Sequence, residues 1–383
     1  MMMQRNSLPL RCWAEIDLAA LEGNIRKIRK VLPDPVKYVA VVKADAYGHG
    51  VHQTVARLMH SGVDLFAVAN IHEAAQIREM GSGWPILLLS ALLPEEDEYA
   101  LELQVTPTIS SVEEAHRLAD RARSQNRTWG FHLKIDTGMG RLGVWHEEVI
   151  NLWQVIKETP ELRLEGVYTH FSSADSDPDF TKRQRELFLA AIKALGVHED
   201  PSVLIHADNS AGLESFSHKS PFNAVRVGLL QFGILPYPNS LLARVEPRPT
   251  FRFITRVSLV KTLPPETPVS YGQSFRTRDK TKVAILSAGY GDGLPRAMGN
   301  RGAVLIGGER CPIIGNVTMD QTMVDVTHLD SVTAGDEVVL IGRQGKGRIE
   351  IEEFSEWAKT IPWEVLTSVT KRVARLYQTP LGI

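Results

Sequence analysis

The sequence predicts an α/β protein in two parts. An N-terminal eight-stranded parallel (β/α)8 barrel is expected over residues 12–245, and a mainly β C-terminal domain over 246–383, with residues 1–11 free to pack against the second part. Three observations predict this. Short apolar runs of strand length alternate with helical spacing through the first half of the chain. Prolines cluster at Pro236-Tyr237-Pro238 and Pro247-Arg248-Pro249, marking a break. Beyond them the pattern turns to short strand candidates, with Gly307-Gly308 spaced as a hairpin turn.

Taken in order, Trp13–Asp17 reads as extended, and Leu21, Ile25 and Ile28 share one face of a helix over Leu18–Val31. Eight barrel strands are then expected at Tyr38–Val42, Val63–Val68, Pro85–Leu89, Val105–Ile109, Phe131–Asp136, Leu164–Phe171, Val203–His206 and Ala224–Val227. Helices fall between most of them. Asn70 with Glu73 predicts one cap, and Ser111-x-x-Glu114 has the spacing of a capping box. Gly196 is expected to stop the helix that carries Leu187, Phe188, Ala191, Ile192 and Leu195. In the second part, strands are expected near Phe251–Leu259, Val283–Ser287, Ala303–Ile306, Thr322–Val326 and Glu337–Ile341, with one amphipathic segment over Ile351–Val369.

Composition narrows the class of function. A net charge of -2 gives no electrostatic reason to expect nucleic acid or an anionic membrane as partner. Cys12 and Cys311 cannot form a disulfide framework, and neither lies in a metal-spaced cluster. No run approaches a membrane span, and Met1–Leu10 lacks a signal-peptide core. A cytoplasmic protein without a metal is the expectation.

The chemistry gathers at Val41-Val42-Lys43-Ala44-Asp45-Ala46-Tyr47-Gly48-His49-Gly50. Lys43 follows a buried strand and precedes a helix that begins near Val51, the end of a barrel strand where active sites lie. Read by itself it is either a strand-end lysine whose amine snorkels to water, or a desolvated amine able to form a Schiff base.

Taken with several later motifs, this stretch resembles the pyridoxal-phosphate lysine motif of the alanine racemases. The resemblance runs from about Ala14 to Tyr377. It implies a homodimer with shared active sites that interconverts L- and D-alanine for cell-wall precursors, with pyridoxal 5'-phosphate as cofactor. Lys43 matches the cofactor lysine and one catalytic base. Tyr271, in Val269-Ser270-Tyr271-Gly272, matches the base on the opposite face, supplied by the partner subunit. His170 matches the histidine that supports this tyrosine, and Arg226 the arginine facing the pyridine nitrogen. Tyr47, Ser210 and the backbone of Gly228 and Leu229 match the phosphate site. Arg141, Met319 and Tyr290 match residues around the substrate, and Lys134 matches a lysine carried as a carbamate in several relatives.

The chain departs from the family pattern at Thr318, Lys371 and Phe232, where cysteine, tyrosine and tyrosine are common. The first two put substrate breadth in doubt, not reaction type. The rival readings are a racemase of another or broader amino-acid range, a decarboxylase of related architecture, and a non-catalytic pyridoxal-phosphate carrier. The second domain with Tyr271 argues against the carrier.

Overall fold

The structure is a computed structural model that describes residues 9–215, 222–235 and 245–378. The chain divides into two compact units. One comprises Ala20–Ala46 with Gly50–Pro249, the other Met1–Ala19, Tyr47–His49 and Thr250–Ile383. The Pro236-Tyr237-Pro238 break lies outside the described residues.

In the α/β unit, apolar runs become largely buried strands because helices cover them. One parallel sheet runs Ala224–Val227, Lys37–Val41, Leu65–Val68, Ile86–Leu88, Val105–Thr106. The other runs Leu204–His206, Leu162–Tyr168, Trp129–Asp136, Thr108–Ile109. The run expected as one strand over Val105–Ile109 is two, split at Pro107, which has no N–H for a ladder. Asn223 N–H donates to Ile205 O at 3.0 Å, and Arg226 N–H to Asp208 O at 2.9 Å, so the chain around Ala224–Val227 also bonds to that around Leu204–His206.

Local signals decide the helix ends. Asn70 Oδ1 accepts from Glu73 N–H at 3.0 Å and Ser111 Oγ from Glu114 N–H at 3.2 Å, each satisfying a donor that the helix leaves open. Pro178–Leu195 ends at Gly196, whose φ of 74° is the left-handed cap that glycine adopts without strain.

The β unit is built on a nine-stranded sheet whose main path is Glu309–Pro312, Ala303–Ile306, Glu337–Gln344, Phe251–Leu263, Cys12–Asp17, Ala374–Gln378. This differs from a boundary at residue 12. Cys12–Asp17 pairs antiparallel with Phe251–Leu263 and parallel with Ala374–Gln378, burying Trp13, Ala14 and Ile16. Both of its edges are hydrogen-bonded in this sheet. Gly307 and Gly308 form the two-residue hairpin turn, with φ of 62° and 88° and Ile306 opposite Glu309. The segment expected as one helix over Ile351–Val369 is two, Ile351–Ala358 and Pro362–Ser368. Lys359 turns left-handed at the first helix's end, and Pro362 suits only the opening of the second.

Candidate active site

Val42 N–H donates to Ala67 O at 2.9 Å, extending the parallel pairing to the residue before Lys43. The backbone then does something that no glycine announces. Ala44, Asp45, Ala46 and Tyr47 are all left-handed, with φ of 54°, 54°, 52° and 53°. Each costs an L-residue about 1–2 kcal/mol, so the turn must be held from outside. Ala46 N–H reaches Val42 O and Gly50 N–H reaches Asp45 O, both at 2.9 Å, while Asp45 Oδ1 accepts from Val51 N–H at 2.7 Å. Burial lowers the pKa of the Lys43 amine. Arg141 and Arg226 lower it further, and Glu73 opposes them. The amine is thereby brought closer to a usable base and nucleophile.

Arg226, on the strand Ala224–Val227, is almost wholly buried. Its Nη1 faces His206 Nδ1 at 2.8 Å and His206 O at 3.1 Å. Its Nη2 faces Thr169 O at 2.8 Å, Ala207 O at 3.0 Å and His170 Nδ1 at 3.2 Å. Guanidinium groups only donate, so both histidines must accept at Nδ1 and carry their protons on Nε2. His206 Nε2 in turn meets His132 Nδ1 at 2.9 Å. Tyr168 stacks on His206 with centroids 4.8 Å apart, and its hydroxyl bonds to Thr108 at 2.7 Å. Burial and the arginine's charge keep the three imidazoles neutral: His132 is pushed down to about 3, and His170 and His206 fall well below the ordinary value. Burial lowers Arg226 itself to about 10, which leaves it charged at neutral pH. Its Nε–H, the fifth donor, has no acceptor among the described residues.

Trp129–Asp136 carries Lys134 and Asp136. Asp136 organises the next loop: Oδ1 accepts from Gly138 and Met139 N–H and Oδ2 from Gly140 N–H, all at 2.9 Å. Arg141 follows on this loop and is exposed. Gly143, at φ 115°, returns against the strand, where a Cβ would lie 2.7 Å from Asp136 N. Lys134 is buried, its Nζ 5.1 Å from the centre of the Tyr168 ring. Burial, then Arg226 and Arg141, bring its pKa to about 7 against the pull of Asp136.

Ser210 is buried, with Oγ accepting from Gly228 N–H at 3.1 Å and Leu230 N–H at 3.3 Å. Ser210 and Gly228 are thus together, at the start of the short 3-10 turn Leu229–Phe232 that carries Leu229. Asn209-Ser210-Ala211 leads into the 3-10 turn Gly212–Ser215, with Gly212 N–H on Asn209 Oδ1 at 2.8 Å.

The other matched residues belong to the β unit. Tyr47 precedes Gly48, where a Cβ would lie 2.2 Å from Leu366 O, so only glycine allows that approach. Tyr271, Met319 and Tyr290 are 76%, 52% and 43% exposed. Their loops are tied to one another. Asn316 Nδ2 donates to Tyr271 O at 2.7 Å, and Gly291 N–H to Met319 O at 2.8 Å. Arg372 bridges Asp320 at 2.8 Å and Asp292 at 3.1 Å. Thr318 closes its turn by donating to Gln321 O at 2.8 Å, Phe232 is buried, and Lys371 is exposed.

Sequence reasoning missed His132, His206, Arg372 and the clamping role of Asp136. It read Glu73 only as part of a cap. The weak signal for the histidines was their place on buried strands, where an imidazole needs partners.

The arrangement supplies an activated amine, a buried cation that can only donate, and a hydroxyl beside backbone N–H groups. Among the described residues no group of histidine, cysteine, aspartate or glutamate is placed to hold a metal, and no helix is long and apolar enough to cross a membrane. Known proteins match throughout. The alanine racemase N-terminal domain matches residues 16–236 and the alanine racemase C-terminal domain residues 250–377. The alanine racemase of Halothermothrix orenii is 38% identical over 371 residues, covering 97% of each chain. The solved alanine racemase of Bacillus anthracis with bound L-Ala-P is 32% identical, with TM-score 0.87 and 97% of each chain covered. That of Bartonella henselae, with covalently bound pyridoxal phosphate, is 29% identical, with TM-score 0.85 over 97% of this chain and 100% of that one. This chain belongs to the alanine racemase family, whose members are pyridoxal-phosphate-dependent isomerases.

Proposed function

We propose that the chain is a cytoplasmic alanine racemase that uses pyridoxal phosphate and two bases, and that it supplies D-alanine for cell-wall precursors. The observation that carries this reading is the buried Arg226, whose Nη donors are spent on protein acceptors while Nε–H is left for a ligand, in one cluster with the desolvated Lys43 amine. The donor set suits a phosphate-bearing pyridine aldehyde. Lys43 would attach it, Ser210, Tyr47 and the backbone of Gly228 and Leu229 would hold its phosphate, and Arg226 would face its ring nitrogen.

When bound, the cofactor supplies an electron sink that acidifies the Cα–H of the substrate. A carboxylate at the ring nitrogen would keep it protonated. Arg226 cannot accept a proton, so it favours an unprotonated ring and disfavours side reactions such as transamination. Lys43 takes or returns the α-proton on the D-alanine face, and the partner's Tyr271 serves the L-alanine face. A phenol is a weak base at neutral pH, and His170, with its proton on Nε2, is suited to donate to it. Arg141 meets the substrate carboxylate with a planar fork, the partner's Met319 N–H adds a donor, and the partner's Tyr290 lines the pocket. The two parallel sheets are read as one closed (β/α)8 barrel, joined through Pro107 and by the Asn223 and Arg226 backbone bonds.

Chiral separation of products from L-alanine, L-serine and L-lysine, with the cofactor supplied, tests the reading. D-alanine should form fastest. Faster turnover of serine or lysine would move the chain to a broader racemase, as Thr318 and Lys371 leave open, and no racemisation of any would overturn the assignment.

A further inference from the structure

Glu73 lies in the first turn of Ile71–Met80, where an acid is favoured by the helix dipole and a capping glutamate is ordinary. A capping box would spend its carboxylate on the N–H of the cap residue itself. Here Oε2 accepts from Ala69 N–H at 2.8 Å, one residue before the cap. Oε1 leaves its own helix and accepts from Ala44 N–H at 2.6 Å. Ala69 follows the strand Leu65–Val68, and Ala44 follows Lys43 after the neighbouring strand Lys37–Val41. One charged acceptor thus ties together the loops at the ends of two adjacent parallel strands. Ala44 is also the first residue of the left-handed turn, and a short, charge-assisted bond is a strong one. Among the groups that shift Lys43, Glu73 is the sole anion, set against Arg141 and Arg226.

We infer that Glu73 is a positioning residue for Lys43: by accepting from Ala44 and Ala69 N–H it holds the left-handed turn that sets where Lys43 Nζ lies. This rests on Lys43 serving the D-alanine face, as proposed above. Glu73→Gln keeps the size but offers one acceptor oxygen, and Glu73→Asp is too short to span both N–H groups. Two measurements test the role. In the full-length protein, with or without cofactor, amide exchange at Ala44 and Ala69 should be slow, and in each variant it should speed up at one or both. With the cofactor bound, α-proton exchange in deuterated solvent should slow by roughly tenfold or more from D-alanine and far less from L-alanine, because only Lys43 is displaced. Unprotected amides at Ala44 in the wild type, unchanged protection in Glu73→Gln, or equal slowing from both enantiomers would overturn the inference. A wild type that exchanges from neither enantiomer would sink the racemase reading instead, and the amide measurement, which needs no turnover, would still decide the role of Glu73.

Discussion

Arg226 Nη1 donates to His206 Nδ1 at 2.8 Å, and that bond sets the tautomer of a second ring, since His206 can then only donate onward to His132 Nδ1 at 2.9 Å. Two neutral imidazoles are in this way locked beneath a buried cation. Neither can take a proton without losing a bond and facing the charge of Arg226.

Acid should therefore destabilise the protein early. Unfolded, both rings protonate near 6.5, whereas the folded protein withholds protons until about 3 at His132. Their contribution is fully present above about pH 7 and is lost as pH falls from 6.5 toward 3. Each ring should add up to about 1.4 kcal/mol per pH unit to the slope of stability. Urea unfolding between pH 7 and pH 5 should show a shallower slope in His206→Gln and in His132→Gln, each by about one proton. An unchanged slope would mean that the rings already share a proton in the folded state.

Covalent attachment can be placed residue by residue. Borohydride reduction of the cofactor-loaded protein and peptide mapping should put the label on Lys43. Label on Lys134, the other amine with a lowered pKa in this unit, would reassign the site.

Lys134, at about 7, is half neutral near neutral pH, and only a neutral amine adds carbon dioxide. Carbon-13 NMR with labelled bicarbonate should show a carbamate that grows as pH rises from 6 to 8 and is absent from Lys134→Ala. That variant should bind alanine roughly tenfold more weakly, as for one lost charge-assisted bond to Arg141, and small carboxylic acids should partly restore it. An unchanged KM for alanine would reject this role.

If each site draws Lys43 from one chain and Tyr271 from another, two dead proteins should rescue one another. Lys43→Ala and Tyr271→Phe homodimers should be nearly inactive. On random exchange, half the dimers are mixed with one intact site each, so roughly a quarter of wild-type activity should return. No return, with subunit exchange verified by mass, would place both bases in one chain.

Arg372 joins the Tyr290 and Met319 loops through Asp292 and Asp320. The guanidinium and Asp320 are exposed, and the buried Asp292 keeps the Gly289 N–H as a donor at 3.0 Å, so Arg372→Gln should cost about 1 kcal/mol in unfolding free energy. Its effect should fall on KM for alanine, since the loops lose their shared brace. A raised KM with a nearly unchanged melting temperature is the expected pattern, and the reverse would make Arg372 a purely structural residue.

What the sequence determined by itself was whatever depends on neighbours along the chain. The helix Leu18–Val31 and the strand Ala224–Val227 fall where apolar spacing puts them, and Asn70, Ser111 and Gly196 end helices because a cap needs only the adjacent turn. The matched motifs also brought Lys43, Lys134, Arg141, His170 and Arg226 into one list, and the tertiary structure couples them electrostatically. What only the tertiary structure decided depends on partners far along the chain. Cys12–Asp17 joins the β unit because its two edges are taken by strands that begin more than 200 residues later, at Phe251 and Ala374. The left-handed turn after Lys43 contains only alanine, aspartate and tyrosine, residues that would start an ordinary helix or loop. It exists because acceptors outside it, Glu73 among them, satisfy its backbone. The same holds for Arg226, whose charge means nothing in a list of residues. It becomes a directed donor because three backbone carbonyls and two imidazoles consume its other hydrogens where the side chain is buried.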